Sequence, residues 1–444
     1  MNQKNNSKKV LHGLFLCDYK ANTGFGTVSH NIIPFLKKNF GNSLKMDICA
    51  INYYGESTKD ASGEIVRDEI GNHIPTPESL GFMEDENTYV FSAKLKKHFV
   101  HDVAKIPTDI YYDSFGRGEF LAILKDKPYD FIFINQDLGI IQPIIAQLKE
   151  IKALKRANNQ KQFKSIFYFP IDNEKVPSIL FEGLEFFDYL ITYTEFGRKV
   201  VLSHNPKLKV EVLFHGVNTK HFYPTKTTEF RKHYFGKNAN KLIIGNINRN
   251  NPRKAIPDTI LAFIEAKKQW DKALPQPFLY LHTQPDDTQG FDLRIVLSQT
   301  DLVEGEDYMF PSTDNDVKQV PIETLNLIYN SIDCFVTTTL GGGFELSVVE
   351  AMACKTPCIL PSHTSLVEIS NYGKNAYMID ELIPVVDMDN LIRLKCDERQ
   401  VAEAMINCCK EDTIKMAERA YDFVLSKMNW DKINQRYVEI LKSI

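Results

Sequence analysis

The feature that most constrains this chain is a recurring alternation of short, continuously apolar runs with helix-length segments. In the first half the runs cover 11–17, 46–54, 131–134, 166–169, 189–194 and 210–214, and they are rich in Ile, Val, Phe and Tyr. Runs this short and unbroken suit strands buried on both faces of a parallel sheet. Helix-length segments at 28–38 and 142–156 lie between them. The second half repeats the theme, with runs at 241–247, 278–282, 334–338, 357–360 and 376–379. Its helical segments are 256–268, 323–331, 346–354 and 398–409; in the last, Val401, Met405 and Cys408 share one face. Such alternation implies an α/β chain built from doubly wound, Rossmann-like domains. A length of 444 residues exceeds what one core serves well and suits two domains. No short unit recurs, which excludes a solenoid.

The predicted division is 1–225, 226–425 and a closing segment 426–444. The boundary falls in the polar, charged stretch 220–240, and the closing segment reads as a helix with Ile433, Tyr437, Ile440 and Leu441 on one face. The stretch 55–118 reads as a long irregular insertion. A loop of that length is either functional, with acceptor binding as the first expectation, or a plain surface insertion.

Charge narrows the partners. The net charge is −4, with a slightly basic first half and an acidic second half. Neither half has the basic excess of a dedicated nucleic-acid binder. The eight cysteines sit mostly in apolar runs, and none has C-x-x-C spacing, so no zinc or dithiol redox site is signalled and a reducing compartment is expected. Residues 1–10 are polar and Lys-rich, the apolar run after them is strand-length, and no stretch approaches a bilayer span. The expectation is a cytoplasmic protein with, at most, peripheral membrane contact.

Three motifs carry chemistry. Thr23-Gly24-Phe25-Gly26 lies between the first apolar run and a helical segment. Its glycines let backbone approach a ligand, and a helix N-terminus offers free N–H groups to anionic oxygen. The loop 245–254 follows the first apolar run of the second half and holds Arg249 and Lys254, two cations suited to a diphosphate leaving group. The strongest is Gly341-Gly342-Gly343-Phe344-Glu345-Leu346-Ser347, a Gly-rich turn running into a helix that carries Glu350 one turn inside. Backbone N–H groups there can cradle phosphate, and a carboxylate at Glu350 can accept both hydroxyls of a ribose.

These motifs resemble the retaining glycosyltransferases of the GT-B fold, family 4. The resemblance spans almost the whole chain and is best in the second half. It is carried by Gly343-Phe344, Glu350-Ala351-Met352-Ala353, Thr356-Pro357, the Arg249 to Lys254 spacing, and His215-Gly216-Val217-Asn218 with Phe222 and Pro224. It implies an acceptor-binding first domain facing a donor-binding second domain across a cleft, with the last helix crossing back onto the first. It further implies a nucleotide diphosphate sugar as donor, no cofactor and no required metal. Arg249 and Lys254 would hold the diphosphate, Glu350 the ribose, and Gly24, Phe25 and Gly26 would close on the phosphates. Backbone around Glu345, Leu346 and Ser347 would contact phosphate or sugar, and Met309, Phe310 and Pro311 would flank the base.

Two departures bear on the site. The family has a glutamate eight positions before the one matched by Glu350, and here that position is Gly342. Glu345 either reaches the sugar in its place or faces solvent. The family also places a histidine near the sugar, whereas the matching runs here end in Asn135-Gln136-Asp137 and Pro170-Ile171-Asp172. Asp137 and Asp172 are the candidates for activating an acceptor hydroxyl, with helix or turn capping as the plain alternative. Asp387-Met388-Asp389 has the D-x-D form of metal-dependent transferases, but its setting reads as surface carboxylates. His215 and His282 read as packing residues. The acceptor stays open among a glycan, a lipid-linked sugar, a protein and a modified nucleobase. The rival readings are a sugar-nucleotide 2-epimerase on the same fold and a non-catalytic nucleotide-sugar binding protein.

Overall fold

The computed structural model describes residues 9–444 except 22, 54, 68–73, 94–114, 313–319, 411 and 412, and the side chains of 409 and 410. The first unit is built on an eight-stranded sheet. Its strands are β1 (Leu11–Cys17), β2 (Leu44–Ala50), β3 (Gly81–Asp85), β4 (Thr88–Ser92), β5 (Phe131–Asn135), β6 (Lys164–Phe169), β7 (Tyr189–Thr192) and β8 (Val210–Val212), in the order β3-β4-β2-β1-β5-β6-β7-β8. All pairings are parallel except β3 with β4. The second unit has a six-stranded parallel sheet: β9 (Leu242–Ile247), β10 (Pro277–His282), β11 (Tyr308–Met309), β12 (Cys334–Val336), β13 (Cys358–Pro361) and β14 (Tyr377–Ile379), ordered β11-β10-β9-β12-β13-β14.

The central strands are largely apolar because helices cover both faces. β5 is buried throughout, with one sheet face packed in a core around Leu14, Ile132 and Phe167 and the other around Phe15, Phe133 and Tyr168. The second sheet is likewise flanked by two cores, one holding Phe278, Phe335 and Val349 and the other Ile244, Phe263 and Met405. Strand order reverses direction between β1 and β5 and between β9 and β12. Such switch points open a crevice outside the carboxyl ends of the strands, the ligand-binding edge of this architecture.

The helix Trp430–Lys442 inserts Trp430, Ile433, Tyr437 and Leu441 into the core of the first unit, beside Phe133 and Tyr168. The chain crosses where Val217 N–H donates to Met428 O at 2.8 Å. Gly216 is required there: an added Cβ would lie 2.6 Å from the Trp430 backbone nitrogen.

Three stretches differ from the sequence expectations. Within 55–118, β3 and β4 form a hairpin that extends the first sheet, so the stretch is not wholly irregular; residues 94–114 lie outside the described residues. Part of the charged segment 220–240 is the helix Thr228–Phe235. A two-stranded antiparallel hairpin, β15 (Leu382–Val386) and β16 (Ile392–Cys396), stands apart from both large sheets. Seven of the cysteines are buried free thiols, and Cys409 lies outside the described side chains. Among the described residues, no helix is long and apolar enough to cross a membrane.

Candidate active site between the two sheets

The loops at the carboxyl ends of β1, β5 and β6 face those after β9, β12 and β13. After β1, the Thr23 hydroxyl accepts from Gly26 N–H at 2.9 Å and donates to buried Asp18 at 2.6 Å. This N-cap starts the helix Gly24–Phe40. Gly26 is obligatory, because an added Cβ would collide with the Ala21 carbonyl. Gly24 faces the second unit, its added Cβ standing 4.0 Å from Leu346 Cδ1. Phe25 and Phe344, one from each side, pack partly against the same core.

After β9, Asn251 caps a tight turn by accepting from Lys254 N–H at 3.1 Å. The turn is tied to the Gly-rich loop: Leu340 N–H donates to Arg253 O at 2.7 Å, and the Thr338 hydroxyl donates to Ala255 O at 2.9 Å. Both cations of the turn therefore point at Glu345. Lys254 pairs directly with one Glu345 oxygen, and Arg253 lies 3.4 Å from the other. The Glu345 side chain is only 2% exposed. Of the two alternatives for this residue, solvent exposure is thus excluded. Burial pushes the Lys254 pKa down, with the Glu345 carboxylate holding against it.

Glu345 is also the N-cap residue of the helix Leu346–Ala353, yet its side chain caps no backbone N–H. The helix start keeps its orphan donors for a ligand. The Ser347 hydroxyl reaches buried Asn248 at 3.4 Å. Glu350 accepts from the Tyr329 hydroxyl at 2.8 Å, and burial pushes its pKa up to about 7.

The two units meet closely at this loop. Added Cβ atoms at Gly341 and Gly343 would collide with the Asp172 carbonyl and with Pro170, respectively, so these glycines let the Gly-rich loop approach the end of β6. Asp172 lies 3.5 Å from Arg253 Nε, an ion pair across the cleft. Asp137 lies in the crevice near Asp172 and Arg253, its outer surface open to solvent and its carboxyl enclosed by surrounding protein. Its pKa is pushed up to about 7, chiefly by burial and then by Asp172, with Arg253 opposing.

Several expected residues sit elsewhere. Arg249 turns outward to Asp287 at 3.1 Å and Gln289 at 2.9 Å, with its side chain 59% exposed. It does not join Lys254 and Glu345; Arg253, not singled out from sequence, takes that place. Phe310 is a core residue packed beside Tyr308, so its ring does not serve as an exposed base flank; Met309 is partly buried. His215 is buried among Tyr168, Tyr193, Phe344 and Trp430, and burial holds its pKa down to about 3. His282 is buried with Nδ1 2.6 Å from the Tyr280 hydroxyl.

The Asp387-Met388-Asp389 reading needs correction. Asp389 is exposed, but the Asp387 side chain is 4% exposed, pairs with Arg393 and accepts from Asp389 and Leu391 N–H at 2.9 Å each. It is a hairpin-turn anchor rather than a surface carboxylate. Two further residues escaped the sequence reading. Thr364, at φ 51°, accepts from Gly342 N–H at 3.2 Å, and adjacent buried His363 is held near pKa 4 by burial. Neither stands in a recognisable spacing; only the fold brings them to the Gly-rich loop.

The chain is similar to known proteins in part of its sequence and in its fold. Residues 315–406 match the family described as Glycosyl transferases group 1. The probable sucrose-phosphate synthase of Thermosipho melanesiensis is 24% identical over 348 residues, covering 76% of this chain and 69% of that protein. Sucrose-phosphate synthase from Thermosynechococcus elongatus superposes with a TM-score of 0.67 at 14% identity, over 98% of this chain and 99% of that one. Anabaena HepE in complex with UDP-glucose gives 0.62 at 15% identity, over 98% and 100%. A trehalose-6-phosphate protein from E. coli bound with UDP-2-fluoro glucose gives 0.64 at 15% identity, over 98% and 99%. The solved structures establish the fold. The chain has the GT-B fold, and its residues 315–406 are similar to the Glycosyl transferases group 1.

Proposed function

We propose that this enzyme transfers a sugar from a nucleotide diphosphate sugar to an acceptor hydroxyl with retention, and that UDP-glucose is the first donor to test. The observation that carries the proposal is the buried Lys254–Glu345 pair at the uncapped start of the helix Leu346–Ala353, opposite Gly24. The likeness to structures holding UDP-glucose and UDP-2-fluoro glucose supports the choice of donor.

In this reading 1–225 binds acceptor, 226–425 binds donor, and 426–444 ties the two together. Lys254, Arg253 and the N–H groups of Leu346 and Ser347 face the diphosphate. Arg249 joins them by exchanging Asp287 for phosphate. Glu350, oriented by Tyr329, takes the ribose hydroxyls. Gly24, Phe25, Gly26, Gly343 and Phe344 bring backbone against the donor, and Met309 lies toward the base. The bond from the anomeric carbon to the diphosphate oxygen breaks, and its electron pair stays on that oxygen beside Lys254. The acceptor oxygen bonds the anomeric carbon on the same face. Its proton passes to Asp137, whose pKa near neutrality suits a base. Asp172 orients the acceptor, Glu345 sets Lys254 and reaches the sugar, and cations with helix N–H groups stabilise the leaving charge without a dedicated metal.

The test is release of nucleoside diphosphate from UDP-, GDP-, ADP- and dTDP-sugars, with and without an acceptor panel. Donor-dependent release that rises with one acceptor supports the transferase reading. Turnover to an isomerised donor without any acceptor contradicts it.

A further inference from the structure

We propose that Arg393 is a positioning residue: from the β15–β16 hairpin it reaches across the cleft, holds the two domains closed and sets the place of Asp172. The hairpin belongs to neither large sheet. Its only deeply buried cation among the described residues is Arg393, with a side chain 3% exposed. Nη1 donates to the Asp172 backbone carbonyl at 3.0 Å, and Nη2 lies 3.4 Å from Asp172 Oδ2. One guanidinium therefore grips both the main chain and the side chain of a single first-domain residue. Its Nε is taken by Asp387, which in turn closes the hairpin turn by accepting from Asp389 and Leu391 N–H. The planar fork thus has one rigid partner on its own hairpin and one across the cleft.

The neighbouring contacts point the same way. Asn173 Nδ2 donates to Ile392 O at 3.1 Å, a second thread from the end of β6 to the hairpin. Gly341 admits the Asp172 carbonyl; its added Cβ would stand 3.1 Å from Arg393 Nη1 as well. Further along the same seam, Glu368 accepts from the N–H groups of Glu195, at 2.9 Å, and Phe196, capping a first-domain helix from the second domain. A surface salt bridge contributes little, but this guanidinium is withdrawn from water and has defined partners on both domains. Opening the cleft would strip Arg393 of its Asp172 partners while leaving it with Asp387. That asymmetry makes Arg393 a closure contact rather than a fold contact.

The part concerning Asp172 rests on the transferase reading, while closure does not. The experiment is small-angle X-ray scattering on the full chain, without ligand and with saturating UDP-glucose, for wild type, Arg393→Gln, Arg393→Lys and Asp172→Asn. UDP release and melting temperature are measured on the same samples. Folded Arg393→Gln should show a larger radius of gyration than wild type without ligand. Its turnover should fall on the order of 10²-fold through misplacement of the acceptor side, more in kcat than in KM. Arg393→Lys should recover part of the closure. Asp172→Asn, altered from the other domain at a part-exposed side chain, should open the particle in the same direction, and combining it with Arg393→Gln should be non-additive. Wild-type scattering in either folded variant, or additive effects, would overturn the proposal. If wild type neither binds nor cleaves UDP-glucose, the donor assignment fails, and the ligand-free scattering still decides the closure.

Discussion

The carboxylate of Glu345 occupies the space that a side chain at Gly342 would need: an added Cβ there would meet Glu345 Oε1 closer than real Cβ contacts allow. The Glu345 carboxylate thus lies against Gly342, and Lys254 receives it. Gly342→Ala should displace a flexible side-chain end rather than backbone. The expected outcome is a folded protein with turnover reduced about 10-fold to 10²-fold. The double variant Gly342→Glu, Glu345→Gly should recover activity over Glu345→Gly alone. Steady-state kinetics with melting curves check both; full activity in Gly342→Ala would show that the contact is incidental.

Glu345→Ala should also destabilise the chain. It leaves Lys254 and Arg253 without their buried counter-charge, a change that costs about 3–5 kcal/mol for a buried pair. Lys254→Ala, Glu345→Ala should be closer to wild type in stability than Glu345→Ala is. Urea denaturation of the three proteins reads this directly.

Gly343→Ala should act on closure rather than on folding. The added methyl meets Pro170 of the other domain, so each domain can fold while the seam stays apart. Near-normal melting with at least 10-fold lower transfer is expected. A protein that transfers sugar normally would show that the closed seam is not used in turnover.

The pH profile follows from the sign of two shifts. Asp137 and Glu350 are both pushed up to about 7 by burial, so each holds its proton in the fold over a window where the unfolded chain has lost it. Their contribution to stability therefore falls as pH rises from about 4 to about 7. Activity should move the other way, rising as the Asp137 carboxylate ionises near pH 7. Asp137→Asn should abolish that rise in transfer and remove its share of the stability loss. Melting temperature and initial rate between pH 5 and pH 8.5, for wild type, Asp137→Asn and Glu350→Gln, separate the two groups.

Asp387→Ala is the sharpest consequence of the corrected hairpin. It removes a buried partner of Arg393 and two turn hydrogen bonds, so a loss of about 3–5 kcal/mol is expected. Asp389→Ala, exposed beside it, should be within about 0.5 kcal/mol of wild type. Equal stability of the two variants would contradict the anchoring role.

The sheets were legible because burial on both faces writes an unbroken apolar run, and the residue run 256–268 coincides with a helix end to end. The edge strand β3 was not, because Met83 and Asp85 are exposed, Glu84 is only partly buried, and the two acidic residues break the run. β15 and β16 hid for the same reason, with Ile383, Val386 and Ile392 exposed. Within the site, the glycines and the cationic turn were visible as spacing. Which cation faces Glu345 was not: Arg253 is selected by the turn that Asn251 caps and by the hydrogen bonds that Leu340 N–H and the Thr338 hydroxyl donate to the carbonyls of Arg253 and Ala255. Arg393, His363 and Thr364 lack any local signature, since they reach the site only when two distant stretches pack.

The most direct measurement is a binding and hydrolysis screen of UDP-, GDP-, ADP- and dTDP-sugars, by thermal shift and by release of nucleoside diphosphate, on wild type and Lys254→Ala. The account predicts stabilisation and slow hydrolysis with one donor, UDP-glucose first among them, and a loss on the order of 10²-fold to 10³-fold in the Lys254→Ala rate. No shift with any donor, or a hit that Lys254→Ala leaves untouched, would contradict it.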